Sequence, residues 1–200
     1  MNGGPERYRP AFAAALDLIA QALARVRAAG ASLPVLVGGA VVEIDTASAV
    51  CTGDFDLLGG DEAAMAAALT AVGFMREVRQ GHKLGGWHHP ESGIGVAFIS
   101  GAYFDGRGDR ARIRLLAMPS GEVPIASIED MIADRMGQWE ASNRRDGAML
   151  AQASLLLALA EMPDRTYLDR RIGEESIGRA GLATLWEGWD EALHPGSAQC

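Results

Sequence analysis

Hydrophobic positions recur with a helical period near the start of the chain. Apolar residues fall every three or four positions over 10–29, which predicts a helix, and residues 1–9 before it have the composition of a loose tail. The apolar run 34–37 predicts a buried strand that stops at Gly38-Gly39. The chain therefore starts with a helix, a buried strand and a tight turn.

The middle of the chain has the pattern of strands with helices between them. Residues 40–48 fit a short helix and a strand about equally well, 53–60 alternate like a strand, and 61–72 have the Ala-rich composition of a helix. The further strand-like segments are roughly 74–79, 83–89, 94–100, 111–118 and 122–126, with a Gly- and Asp-rich loop over 101–110.

From Ser127 onward the pattern is helical. Asp130 follows Ser127 by three residues, which resembles a capping box at a helix start. Helices are predicted over roughly 127–141, 145–160, 164–175 and 176–192. The whole pattern predicts an α/β (α+β) fold in two regions. We expect residues 1–126 to form an α/β core in which helices flank a mixed sheet, and residues 127–200 to form a helical C-terminal half packed on that core.

Composition limits the choice of partners and compartment. The formal net charge of −8 over 200 residues argues against strong non-specific binding to nucleic acid and leaves a local basic cleft open. Cys51 and Cys200 are too few for a disulfide framework and have no metal-binding spacing. No stretch has the pattern of a signal peptide or a membrane span, so we expect a cytoplasmic protein with no membrane partner.

Two pairs of residues carry the clearest chemical signal. Gly38 and Gly39 end one predicted strand, and Asp54 and Asp56 lie two positions apart on the next, so both carboxylates project from one face. Adjacent carboxylates are most stable beside a cation, and their hard oxygens suit Mg²⁺ or Mn²⁺. Paired glycines before a helix let backbone amides approach a phosphate. A solvated strand edge and a plain turn are the alternative interpretations.

These residues carry a resemblance to a known superfamily. Val37-Gly38-Gly39-Ala40 and Thr52-Gly53-Asp54-Phe55-Asp56-Leu57-Leu58 resemble the hGG-A and T-x-DhDh motifs of the minimal nucleotidyltransferases. The resemblance covers about residues 30–160. Within the superfamily, the sequence is most similar to an uncharacterised bacterial branch related to AbiEii-type toxins. It implies a nucleotidyltransferase-like fold, a nucleoside triphosphate (NTP) as substrate and a divalent metal. Under it, Asp54 and Asp56 hold the catalytic metal, and Gly38 and Gly39 line the triphosphate.

The resemblance also implies a third carboxylate on a later core strand, where it helps to hold the metal and often acts as the base. The matching strand is 93–100, and its corresponding position is Ala97. Glu91 and Asp105, near the two ends of that strand, could substitute, although neither occupies the expected position. Ala97 therefore argues against full activity more than it argues against the fold.

Other polar residues give weaker signals. Lys83, with Arg76 and Arg79, forms a basic cluster that could bind phosphates of a nucleotide or of RNA, although outward-facing strand residues give the same pattern. A second basic stretch, which also fits a half-solvated strand, contains Arg107, Arg110, Arg112 and Arg114. Three histidines and a carboxylate lie close in sequence at His82, His88, His89 and Glu91. Their spacing fits no familiar zinc motif, so surface or cleft histidines are the favoured interpretation.

The leading hypothesis is a nucleotidyltransferase that uses Mg²⁺ and transfers a nucleoside monophosphate (NMP) from an NTP to an unidentified acceptor. One alternative is a catalytically degenerate, nucleotidyltransferase-like binding or regulatory protein, which Ala97 favours. A second alternative is a toxin that modifies tRNA and has an antitoxin protein as its partner. The resemblance suggests this toxin, but the acidic net charge gives RNA binding no support.

Overall fold

A computed structural model of the chain describes residues 5–77 and 86–193. The chain divides into two compact units, unit 1 (Met1–Ala126) and unit 2 (Ser127–Cys200). In chain order, the described helices and strands of unit 1 are α1 (Pro10–Ala28), β1 (Val35–Val37), α2 (Gly38–Asp45), β2 (Asp54–Leu58), α3 (Glu62–Ala71), β3 (Met75–Arg76), β4 (Trp87–His88), β5 (Gly95–Ile99), β6 (Arg114–Met118) and β7 (Gly121–Ile125). Those of unit 2 are α4 (Ile128–Ala141), α5 (Gly147–Leu159), α6 (Arg165–Glu175) and α7 (Leu182–Leu193).

The described strands of unit 1 form one mixed sheet in the order β3-β4-β5-β2-β1-β7-β6. The strand β2 lies at its centre, antiparallel to β1 and parallel to β5. β1 is also parallel to β7, while the outer pairs are antiparallel. The strand that carries the two aspartates, β2, therefore lies between β1, which precedes it in the chain, and β5, which is distant in sequence.

One face of β2 belongs to the core of unit 1. Phe55 and Leu57 are completely buried, and the ring of Phe55 lies 5.3 Å from that of Phe12 on α1. Burial of each such side chain contributes about 1.5–3 kcal/mol. Because side chains alternate along a strand, Asp54 and Asp56 project from the opposite face, where Asp54 is exposed and Asp56 is half-buried.

The first three helices of unit 2 begin at side-chain caps. Ser127 Oγ accepts the Asp130 N–H at the start of α4, and Asp146 and Asp164 cap α5 and α6 in the same way. α4 packs against both α5 and α6. An acidic or hydroxyl residue before each of these three helices satisfies amide groups that would otherwise have no acceptor.

A buried ion pair joins α4 to α6. Asp130 and Arg171 are both completely buried, and Nε of Arg171 donates to Oδ1 of Asp130 at 2.7 Å. Asp130 also accepts hydrogen bonds from the Tyr167 hydroxyl at 2.8 Å and from the Ser127 hydroxyl at 2.7 Å. The remaining Arg171 nitrogens pair with Glu174 and Glu175. Burial alone would lower the pKa of Arg171, but these hydrogen bonds outweigh it and raise that pKa above its ordinary value.

Several sequence predictions of local structure are wrong in detail. The last helix starts at Leu182 rather than at 176, because Ile177 and Gly178 adopt left-handed conformations (φ 56° and 73°) that end the helical path. Residues 110–112 form a short 3₁₀ turn, so β6 begins only at Arg114.

The segment before α1 is not a loose tail over its whole length. Pro5–Arg7 forms a 3₁₀ turn, the Tyr8 side chain is buried, and Arg9 pairs with Glu43. Within the described residues, no helix combines the length and the apolar character needed to cross a bilayer.

Candidate functional site

The strand register brings the two aspartates to the start of α2. Asp56 lies opposite Val37, the last residue of β1, and Asp54 begins β2 two positions earlier. From the sequence pattern, residues 40–48 fit a helix and a strand about equally well. The structure has a helix that begins at Gly38 itself, so the two glycines form its first turn rather than a separate turn before it.

Glycine is required at position 38 by the local backbone conformation and by the neighbouring side chain of Asp56. Its φ of 70° is a left-handed conformation that side chains rarely adopt. A Cβ atom on Gly38 would overlap Oδ2 of Asp56 and lie 3.2 Å from its Cγ. The next glycine is also close-packed, because a Cβ on Gly39 would lie 2.7 Å from Oγ1 of Thr52. The glycine pair thus makes room for the carboxylate of Asp56 and for the hydroxyl of Thr52.

We expect Gly38→Ala to lower the free energy of unfolding by about 1–2 kcal/mol, the usual cost of a side chain in the left-handed region. It should also move the Asp56 carboxylate away from α2. Urea denaturation measures the first effect. The matched control is Gly53→Ala, because a Cβ there meets nothing within 4 Å and the φ of Gly53 is not positive. Equal effects of the two substitutions would contradict this account of Gly38.

The position expected for a third carboxylate lies directly beside Asp56. In the parallel pairing of β2 with β5, Asp56 is aligned with Ala97 and Asp54 with Gly95. A Cβ on Gly95 would overlap Oδ1 of Asp54, so Asp54 lies over that glycine. Since paired positions on adjacent strands point to the same face, the methyl group of Ala97 shares the face of the two aspartates.

Neither suggested substitute completes a three-carboxylate site within the described part of the chain. Glu91 is exposed in the turn before β5, and Asp105 is 81% exposed and paired with Arg107 at 2.9 Å. Among residues 5–77 and 86–193, no three histidines, cysteines or acidic residues are grouped so that they could hold a metal ion. The described site therefore offers two carboxylates.

Lys83, Arg79 and His82 lie outside the described residues. The ring of His89 packs against Phe74, and Nδ1 of His88 is buried with no hydrogen-bond partner among the residues that the structure describes.

Much of the second basic stretch is paired within unit 1. Arg107 pairs with Asp105, and Arg112 pairs with Asp109. Arg114 makes a two-pronged contact with Asp45 on α2, at 2.7 and 2.8 Å. These pairs occupy guanidinium groups that a phosphate would otherwise use.

Glu43 is a residue near the site that the sequence pattern did not indicate. This glutamate lies on α2 and its side chain is completely buried, where it accepts hydrogen bonds from Arg9, Ser48 and the backbone N–H of Thr52. The available signal was one acidic residue inside the apolar run Val41–Ile44, because a buried charge requires a partner.

Comparison with known proteins identifies the fold. No family model matches the chain, and no curated protein does so. A solved structure of an antigenic nucleotidyltransferase-like protein from Paracoccidioides brasiliensis matches with a TM-score of 0.57 at 14% identity, over 86% of this chain and 92% of that one. The fold is nucleotidyltransferase-like.

A second solved structure, of the antibiotic-resistance factor ANT(2'')-Ia, matches over 90% of this chain and 91% of that one, with a TM-score of 0.47 and 12% identity. Identities this low leave the activity of a nucleotidyltransferase-like fold to be argued from its site residues. The AbiEii-like branch stays a prediction.

Proposed function

We propose that the protein is a nucleotidyltransferase that binds an NTP with Mg²⁺, or Mn²⁺, at the start of α2 and transfers an NMP to an acceptor. The observation that carries the proposal is the meeting of Asp56 with Gly38. The Asp56 carboxylate on β2 lies against the first residue of a helix, and Asp54 projects from the same face of the strand. Carboxylates for a cation and helix amides for phosphates are thereby adjacent.

The donor set fits one magnesium ion. Mg²⁺ in nucleotide sites is usually held by one or two carboxylates, with water and substrate phosphates as the other ligands. Asp54 and Asp56 would supply these carboxylates. The metal would neutralise negative charge on the phosphates and on the departing pyrophosphate. The side chains also explain why Gly95 and Gly38 are small, because each aspartate lies over one of these glycines.

Backbone groups would orient the triphosphate. The first amides of α2 have no acceptor within the helix, and the helix dipole favours negative charge beside them. Gly38 and Gly39 add no side chain of their own to this end, which lets phosphate oxygens approach the amides closely. In this proposal the glycines serve the nucleotide as well as Asp56 and Thr52.

A second candidate function follows from Ala97. The side chain aligned with Asp56 on β5 is a methyl group, which can neither hold a metal nor accept a proton from an attacking hydroxyl. The same site with two carboxylates would still bind a metal–nucleotide complex. A nucleotide-binding regulator without transferase activity is therefore the alternative to the enzyme.

The experiment is isothermal titration of ATP, GTP, CTP and UTP, each with and without Mg²⁺. We expect Mg²⁺-dependent binding by the wild type, and loss of it in Asp54→Asn/Asp56→Asn, because the amides keep the shape but lose the charge that holds the cation. The control is Glu91→Gln/Asp105→Asn, which removes the same charge from unit 1 away from the aspartate pair and should bind like the wild type.

Each outcome has a distinct meaning. Folded wild type that binds no nucleotide would exclude both the enzyme and the regulator. If the control variant loses as much nucleotide binding as Asp54→Asn/Asp56→Asn, the effect comes from overall charge rather than from the two aspartates. Binding without NMP transfer to any tested acceptor would support the regulator. The toxin hypothesis, with its antitoxin partner, stays a prediction that a small antitoxin gene beside this one would support.

A further inference from the structure

The loop from α2 to β2 leads into the aspartate strand, and a buried carboxylate on α2 accepts hydrogen bonds from this loop. Glu43 Oε2 accepts the backbone N–H of Thr52 at 2.6 Å, and its Oε1 accepts the hydroxyl of Ser48 at 3.0 Å. Both partners belong to the loop. The Glu43 side chain is completely buried, so each of these bonds forms in a site shielded from water.

Arg9 completes the arrangement from the residue before α1. Its Nε and Nη2 donate to the two carboxylate oxygens of Glu43 at 2.6 and 3.1 Å, and Nη2 also donates to the backbone C=O of Thr52. The backbone N–H of Arg9 donates to Ser48 Oγ at 3.0 Å. The hydrogen bond with Glu43 raises the pKa of Arg9 above its ordinary value. Both backbone polar groups of Thr52 are thus held by one ion pair.

Thr52 connects this ion pair to the candidate site. Its hydroxyl fills the space beside Gly39 in the first turn of α2, where a Cβ would lie 2.7 Å away. The same hydroxyl lies 3.4 Å from the backbone C=O of Asp54. A shift of Thr52 would therefore move the first residue of β2 relative to the helix start.

We propose that Arg9 and Glu43 are positioning residues for the metal–nucleotide site. They fix Thr52 and so hold Asp54 and Asp56 at the distance from α2 that one cation and one triphosphate require. This inference rests on the proposed function. A buried ion pair is a weak source of stability, because its desolvation offsets most of its attraction. Here its hydrogen bonds go to the backbone and hydroxyl groups of the one loop that leads into the aspartate strand.

The test compares two arginines that make the same kind of contact with the same helix. Arg9→Gln removes the pair to Glu43, and Arg114→Gln removes the two-pronged pair to Asp45, together with a bond from Arg114 to the Ala126 C=O at 2.8 Å. Arg9→Lys keeps the charge. Hydrogen exchange of the Thr52 amide and titration of Mg²⁺ with each of the four NTPs are measured on every variant.

We expect Arg9→Gln to speed exchange of the Thr52 amide and to weaken Mg²⁺–nucleotide binding by about tenfold, the lower end of the effect of removing groups that orient metal ligands. Compared with Arg9→Gln, Arg9→Lys should restore part of the protection of the Thr52 amide and part of the affinity for Mg²⁺–nucleotide. Arg114→Gln should leave the Thr52 exchange rate and the nucleotide affinity unchanged, even if it lowers the free energy of unfolding as much as Arg9→Gln does.

Equal losses of affinity in Arg9→Gln and Arg114→Gln would overturn the positioning role, because both would then act through stability alone. Unchanged Thr52 exchange in Arg9→Gln would overturn it as well. If the wild type binds no nucleotide, the proposed function fails and the positioning role fails with it. Faster Thr52 exchange in Arg9→Gln would then leave the pair as a local support of the loop.

Discussion

Replacing Arg171 with methionine is expected to lower the free energy of unfolding of unit 2 by about 3–5 kcal/mol, the cost of leaving one partner of a buried ion pair without the other. Asp130 would remain completely buried with its charge, and the hydroxyl groups of Tyr167 and Ser127 would not neutralise it. Methionine fills similar space but can donate no hydrogen bond. Glu174 and Glu175 would lose their contacts with Arg171 as well.

The neighbouring arginine provides the control. Arg170 also pairs with Glu174, at 2.5 Å, but its side chain is 49% exposed. Arg170→Met should cost less than about 1 kcal/mol, as is usual for a surface pair. Urea denaturation gives the free energies, and hydrogen exchange of amides in α4 and α6 shows that the loss lies in unit 2. Similar losses in the two variants would contradict a special role for the buried pair.

The sequence was sufficient for elements whose signal is local. The helical period of α1, the apolar run of β1 and the alternation of β2 each lie within one short segment, and the structure has all three. Ser127 likewise caps α4 through the Asp130 N–H. Left-handed backbone at Ile177 was not predictable, because an apolar residue in that region has no composition signal and delays the start of α7.

The pairing of strands that are distant in sequence cannot be predicted from such local signals. Alternation along β2 indicates that Asp54 and Asp56 share a face, but it cannot indicate that Ala97 is the residue aligned with Asp56. That alignment joins positions far apart in sequence, through the order of strands in the sheet. The resemblance to nucleotidyltransferases supplied the expectation of a nearby strand, and the register gives the aligned residue.

The Arg9–Glu43 pair shows the same limit for side chains. Arg9 falls in a segment whose composition predicts a loose tail, and Glu43 falls in a segment that fits helix or strand. The ion pair itself joins the two segments, since Arg9 bonds to Glu43 across 34 positions. A buried charge can be suspected from an apolar context, but its partner follows only from the folded chain.

The strongest test of the site adds a group rather than removing one. Ala97→Asp is expected to tighten Mg²⁺–nucleotide binding by about 100-fold, the upper end of effects measured for groups that support metal ligands, because it places a third carboxylate beside Asp56. Adjacent strands lie about 4.8 Å apart, which is close enough for both side chains to reach one ion. Titration with the four NTPs measures the change. Ala97→Asn, which has the same shape without the charge, should give no such gain.

The same variant separates the two candidate functions. Without metal, three carboxylates on one face should repel, so Ala97→Asp should melt at a lower temperature than wild type in EDTA and recover in Mg²⁺. An unchanged affinity and an unchanged melting temperature would show that position 97 does not face the aspartates. NMP transfer that appears only in Ala97→Asp would make the wild type a nucleotide-binding protein, in which one methyl group replaces the catalytic carboxylate. Transfer by the wild type that Ala97→Asp does not raise would instead show that two carboxylates suffice in this fold.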